Sequence, residues 1–215
     1  MAITLLAIVG YIFGSVPFSY LAGRYYGVDI RTVGTRAASP GNVWRSVGHL
    51  SGVATGVAEV AKGIIPMLAA RTLTGDDLAV LLVGLAAIAG HNWPIFLGFD
   101  GGRGASLGLV TMLLVSYQWL GLALVPLAAL TIALRDSAPA ILAAFVLAPA
   151  FAVLLGFPQP VVVAAIGIPA LTILRRVTAR MDTDAVDGHR WTTLGSRLIF
   201  DRPERQRKRP QSKPG

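Results

Sequence analysis

The sequence predicts an all-α integral membrane protein of about seven transmembrane helices, with its N-terminus outside and its C-terminus in the cytosol. Three observations predict it. The 215 residues are 54% hydrophobic and only 14% charged, against about a quarter charged in an ordinary soluble domain. The apolar residues fall in successive runs near 20 residues, the length that spans a bilayer core as a helix. The basic residues collect on alternate connections and at the C-terminus, as the positive-inside rule requires. With no cysteine in the chain, a disulfide framework, a thiolate nucleophile and a cysteine zinc site are excluded at once.

Three segments are read directly from hydropathy: Ile3 to Gly23, Leu50 to Ala70 and Leu78 to Phe96. The first lacks a positive n-region and carries its polar residues, Ser15, Ser19 and Tyr20, at its far end, so it is expected to remain as a helix rather than act as a cleavable signal. Ala105 to Leu134 has no charged residue and is too long for one untilted span. It is divided near Tyr117 to Gly121 into two short helices. Pro139 to Leu155 and Pro160 to Leu174 follow, parted by the turn-favouring Gly156-Phe157-Pro158-Gln159.

Seven spans with a cytosolic C-terminus place 17 of the 19 basic residues in the cytosol; Arg71 lies outside and Lys62 within a span. The chain divides into a polytopic membrane domain, residues 1–174, and a basic cytosolic tail, 175–215, which holds 11 Lys/Arg against 5 Asp/Glu. Arg205, Arg207, Lys208 and Arg209 have no aromatic residues among them. The tail therefore fits anionic lipid head groups better than nucleic acid.

Polar residues in apolar surroundings mark the candidate chemistry. The long basic loop from Arg24 to His49 either sets topology or presents arginines and glycine-exposed N–H groups to an anion. Gly101-Gly102-Arg103-Gly104, which lacks the lysine and spacing of a Walker loop, is either a turn or a phosphate-holding segment. His91, just before a proline near the membrane boundary, is a general base or a partner of a helix end. Glu59 and Lys62 are three apart on one face of a span, a costly placement unless the charges are paired. His49 and His189 show no ligand spacing with His91, and no metal site is expected.

Together these residues resemble the PlsY family of bacterial membrane glycerol-3-phosphate acyltransferases. The resemblance rests on Gly14-Ser15-x-Pro17-x-Ser19-Tyr20 followed by Gly27-x-Asp29-Ile30-Arg31-x-x-Gly34 and Asn42-Val43-x-Arg45. Glu59-x-x-Lys62-Gly63 with Pro66 is close to the family's DxxKG. Gly90-His91-x-x-Pro94-x-Phe96-x-x-Phe99 leads, without gaps, into Gly101 to Gly104.

What the resemblance implies is transfer of a fatty acyl group from acyl phosphate to the first hydroxyl of glycerol 3-phosphate, giving lysophosphatidic acid at the cytosolic face of the inner membrane. It implies no acyl-enzyme and no cofactor. By position Thr35 matches the family's loop serine, Arg45 its phosphate-binding arginine, Arg103 its GGKG lysine and His91 the histidine of its GH pair; these are the implied catalytic residues. The implied substrate-binding set is Ser15, Arg31, Asn42, Lys62, Gly101, Gly102 and Ser137, the last on the short segment after the fifth span.

The chain departs from the family pattern in three places. Gly34-Thr35-Arg36-Ala37-Ala38-Ser39-Pro40-Gly41-Asn42 stands for GSGNxGATN, losing an asparagine and gaining a proline. Arg103 replaces a lysine, exchanging a point charge for a planar fork. The family's last motif, a histidine and an asparagine before an arginine, falls near Leu174, Val177 and Arg180, where both polar residues are missing. Besides the enzyme, a non-catalytic descendant that binds lipid or protein is the alternative. A transporter is third, because no inverted repeat is evident.

Overall fold

The computed structural model describes residues 2–34, 37–134 and 137–178, and over these it is all-helical. The first predicted segment is two helices, α1 (Ala2–Ser15) and α2 (Phe18–Tyr25), parted at Val16 and Pro17. Proline has no N–H to continue the ladder and its ring turns the preceding residue away from helix. Hydropathy alone does not register such a break. α3 (Pro40–Ser46) lies in the first loop, where Ser39 takes the extended N-cap conformation and Pro40 the first turn. A proline's fixed φ suits that position, so the proline gained in this loop starts a helix.

α4 (His49–Thr74) encloses the second predicted segment. α5 (Asp77–Asn92) starts at Asp76, whose side chain accepts from the Leu78 N–H at 2.9 Å. It ends two residues short of Pro94, and Ile95–Leu97 form a single 3-10 turn; the third segment is thus a helix four residues shorter than Phe96 would make it. The long apolar stretch breaks at Ser116 into α6 (Ala105–Val115) and α7 (Tyr117–Leu134). Ser116 is extended, and its hydroxyl accepts from the Trp119 N–H at 3.2 Å, an N-cap bond. α8 (Ser137–Leu154) and α9 (Gln159–Thr178) complete the described chain.

Among the described residues four stretches are long and apolar enough to cross a membrane: Ala2–Tyr25, His49–Thr74, Asp77–Leu97 and Gln159–Thr178; Ala105–Val115 and Tyr117–Ala133 are shorter. α9 runs past residue 174, and Arg175 and Arg176 at its end are buried. The boundary drawn between membrane domain and tail therefore falls inside a packed helix. The tail from 179 onward lies outside the described residues.

Small residues let α1 approach α5 closely. Gly14 meets the Ala87 backbone and Gly90 meets the Tyr11 carbonyl so tightly that neither position has room for a Cβ. Leu81 and Ile88 of α5 pack with Leu107 and Ile168, while Met67, Val80, Val83 and Val110 fill the space between α4, α5 and α6. Val125, Ile132, Val146 and Val153 on α7 and α8 are exposed, as suits surfaces that face lipid. This packing brings the break after α1, the end of α5 and the end of α9 to one end of the bundle. Arg31, stacked over the Tyr20 ring of α2, and Arg103, next to Gly102, lie at that same end.

Candidate active site

Breaking a helix inside an apolar bundle leaves a carbonyl in need of a donor. At the α1–α2 break the Val16 carbonyl accepts from Lys62 Nζ at 2.8 Å. Lys62 is itself buried, and its ammonium lies 2.6 Å from Glu59 Oε2 and 3.1 Å from His91 Nδ1. Glu59 Oε2 is also 3.1 Å from His91 Nδ1, while its Oε1 accepts from the Ser19 hydroxyl at 3.0 Å and the Ser19 N–H at 3.3 Å. Three helices thus meet on one carboxylate. A buried charge is tolerable when it is paired and hydrogen-bonded, and here the ammonium has three polar neighbours, the Val16 carbonyl, Glu59 and His91. Nδ1 of His91 faces both Lys62 and Glu59, and the Nε2 edge of the ring lies against Gly102.

The first loop is organised by Asn42, which is fully buried. Its Nδ2 lies 2.8 Å from the Ile30 carbonyl and 3.1 Å from those of Val33 and Ala37. An amide held by three backbone carbonyls shapes the loop from within; Asn42, expected among the substrate-binding residues, sits as a tether. Arg31 is gripped by Asp29 through Nε–Oδ1 at 3.1 Å and Nη2–Oδ2 at 3.0 Å, and its guanidinium stacks 4.6 Å over the Tyr20 ring. Arg45 is exposed near the end of α3. Thr35 and the side chain of Ser137 lie outside the described residues.

The hydrogen bond from Arg31 holds the Asp29 carboxyl below its ordinary value of 3.8, and the same bond pushes Arg31 up. A carboxylate whose folded pKa is depressed adds stability that is complete above the unfolded pKa and is lost as pH falls through the folded one. Asp29→Asn is expected to lower stability slightly near neutral pH, by less than about 1 kcal/mol for a partly exposed pair. The gap from wild type should close as pH drops below about 4. Thermal unfolding across that range checks it; a gap that does not change with pH would contradict the pairing.

After α5 the chain doubles back. Gly102 N–H donates to the His91 carbonyl at 3.0 Å and Gly101 N–H to that of Asn92 at 3.3 Å. His91 and Pro94 occupy the space where side chains at Gly102 and Gly101 would lie, and Gly104, at φ +70°, turns the chain into α6. From the other side the buried Arg175 donates Nε to the Gly102 carbonyl at 3.1 Å and Nη2 to that of Gly101 at 2.9 Å, and pairs with Asp100 at 2.5 Å. Leu174 and Val177, where a histidine and an asparagine were looked for, are exposed. Arg175 was counted with the tail; its signal was a pair of arginines ending the last apolar run.

These pieces line a narrow cleft, open to solvent, whose interior of about 10 Å³ has room for about one water. Ser15, Glu59, Lys62, His91, Gly101 and Gly102 line it together with the apolar Val16, Pro17, Pro94 and Leu97, and Ala38 brings in the first loop. Of the expected residues, Ser15, Lys62, His91, Gly101 and Gly102 are brought together. Arg31, Asn42 and Arg45 belong to the adjoining loop, and the half-buried Arg103 follows directly on Gly102. Glu59, at the centre of the cluster, was read only as the partner of Lys62.

A family model described as glycerol-3-phosphate acyltransferase matches residues 4–181. A glycerol-3-phosphate acyltransferase of Jannaschia sp. (strain CCS1) is 40% identical over 173 residues, covering 80% of this chain and 84% of that protein. One from Rubrobacter xylanophilus is 43% identical over 107 residues, covering 50% of this chain and about half, 54%, of the relative's length. Among solved structures, PlsY, an integral membrane glycerol 3-phosphate acyltransferase, in its glycerol 3-phosphate form superimposes with a TM-score of 0.72 at 32% identity, covering 82% of this chain and 88% of that one. Its lysophosphatidic acid form gives 0.71 at 30% identity.

Proposed function

The chain belongs to the glycerol-3-phosphate acyltransferase family, and from that premise we propose that it transfers a fatty acyl group from acyl phosphate to the 1-hydroxyl of glycerol 3-phosphate, forming lysophosphatidic acid. The observation that carries the reading is the cleft that gathers Lys62, His91 and the glycine loop together with the apolar Val16, Pro17 and Leu97. Both substrates are anionic at one end, and the donor is a lipid at the other. A site of this mixed lining suits them.

In the proposed reaction the glycerol hydroxyl oxygen attacks the acyl carbonyl carbon. The carbon–oxygen bond to phosphate breaks, and inorganic phosphate leaves with the hydroxyl proton. Nothing here needs a covalent enzyme intermediate, so catalysis rests on juxtaposition and on charge placed beforehand. Arg45 and Arg103 are assigned to the phosphates, Thr35 to the acceptor, and the Nε2 edge of His91 to the substrate at the cavity wall. Lys62 supplies fixed positive charge beneath them, Ser15, Gly101 and Gly102 line the approach, and Arg31 and Asn42 shape the flanking loop. Ser137 is assigned to the same pocket.

The proposed setting is the bacterial inner membrane, crossed seven times, with the cavity, the basic loops and the C-terminal tail in the cytosol. The tail is assigned to anionic lipids. Purified protein in lipid, given palmitoyl phosphate and glycerol 3-phosphate, is expected to release one phosphate for each lysophosphatidic acid formed. Phosphate release without the acylated product would contradict the reading.

A further inference from the structure

The geometry points to Arg175 as the positioning residue that sets the shape of the Gly101-Gly102-Arg103-Gly104 loop, and through it the affinity of the cavity for a phosphate-bearing substrate. The inference deepens the proposed function and rests on that reading of the cavity. Arg175 is 5% exposed, on the last turn of α9, and it reaches across to the connection between α5 and α6. Its fork engages two successive carbonyls, Gly102 through Nε and Gly101 through Nη2, while Asp100, the residue just before them, supplies the countercharge.

A loop of three glycines and an arginine has little conformational preference of its own. Two glycine N–H groups are tied to the end of α5 and the two following carbonyl groups to Arg175. The loop is therefore gripped from both sides, and α5 alone supplies only one of them. Because opposite ends of a peptide unit point in opposite directions, fixing the Gly102 carbonyl on Arg175 also fixes where the Arg103 N–H and the start of α6 face. Lysine at this position keeps the charge but, as a point donor, cannot bridge both carbonyls at the spacing of a guanidinium fork. Asp100 holds that fork from a third direction and also adds to the negative field around Arg31 in the first loop. The clamp thereby relates three separate stretches of chain.

The test uses the full chain in lipid with two readouts, hydrogen exchange of residues 98–104 and steady-state kinetics with palmitoyl phosphate and glycerol 3-phosphate. Arg175→Met is expected to speed exchange of the loop while α4 and α5 stay protected, and to raise KM for a phosphate substrate about tenfold or more, the loss of a charge-assisted bond, with a smaller change in kcat. Arg175→Lys should restore part of both, and it stands as the informative variant if Arg175→Met does not fold. Loop exchange and KM unchanged from wild type in a folded variant would overturn the proposal. Loop exchange that rises in a protein whose wild type transfers no acyl group would uphold the clamp and sink the enzymatic reading, so the two fail separately.

Discussion

Glu59→Ala is expected to lower the stability of the folded protein by about 3–5 kcal/mol. The carboxylate, 1% exposed, is the meeting point of Lys62, His91 and Ser19. Removing it strips the Lys62 ammonium of its countercharge and leaves the Ser19 hydroxyl and N–H without their acceptor. Because Lys62 also holds the Val16 carbonyl at the break between α1 and α2, the loss should spread to the packing of the first helix. Lys62→Met should be damaging for the mirror reason. Replacing both together, Glu59→Ala with Lys62→Met, should be milder than the sum of the single changes, as expected for residues in direct contact. Thermal unfolding in detergent reads these differences. A loss below about 1 kcal/mol for Glu59→Ala would mean that the cluster is not a structural hub.

Arg103→Ala is expected to reduce kcat/KM for acyl transfer by about a hundredfold to a thousandfold, the scale of removing one prepositioned donor to developing charge, in a protein that remains folded. The half-buried Arg103 follows Gly102 at the cavity and precedes the first turn of α6. Its guanidinium is thus placed by a loop that is itself pinned on both sides. Arg103→Lys should retain much of the activity, because charge is kept and the fork is lost. Arg45→Ala is the parallel case on the first loop, where the arginine ends α3. Near-normal kcat/KM in both alanine variants, alongside unaltered unfolding, would remove the arginines from the phosphate site.

Much of the fold was legible because hydropathy over 20 residues reports directly on what lipid tolerates. Leu50 to Ala70 and Pro160 to Leu174 lie inside α4 and α9, and the division of the long apolar stretch near Tyr117 falls one residue from the break at Ser116. What escaped were events that average hydropathy does not register. Pro17 cuts an apolar run in two, Pro94 ends another early, and Pro40 starts a short helix within the first loop.

At the site, motif positions located His91, Lys62 and the glycine loop, which the fold gathers around one cavity. Motifs name residue types and not what their atoms bond, however. The amide of Asn42 is turned onto its own loop's carbonyls, and Glu59 holds three helices together although its sequence signal was a single ion pair. Arg175 was masked by its surroundings: one arginine at the head of a basic stretch differs from the next only in which side of α9 it occupies. That distinction exists only once the helix is packed.

The central claim is that acyl phosphate is the donor and glycerol 3-phosphate the acceptor. The measurement that tests it most directly is transfer of labelled palmitate to glycerol 3-phosphate by the purified protein in lipid, run in parallel from palmitoyl phosphate and from palmitoyl-CoA. Labelled lysophosphatidic acid from palmitoyl phosphate alone is the predicted result. Product from palmitoyl-CoA at a comparable rate, or from neither donor with a folded protein, would contradict it.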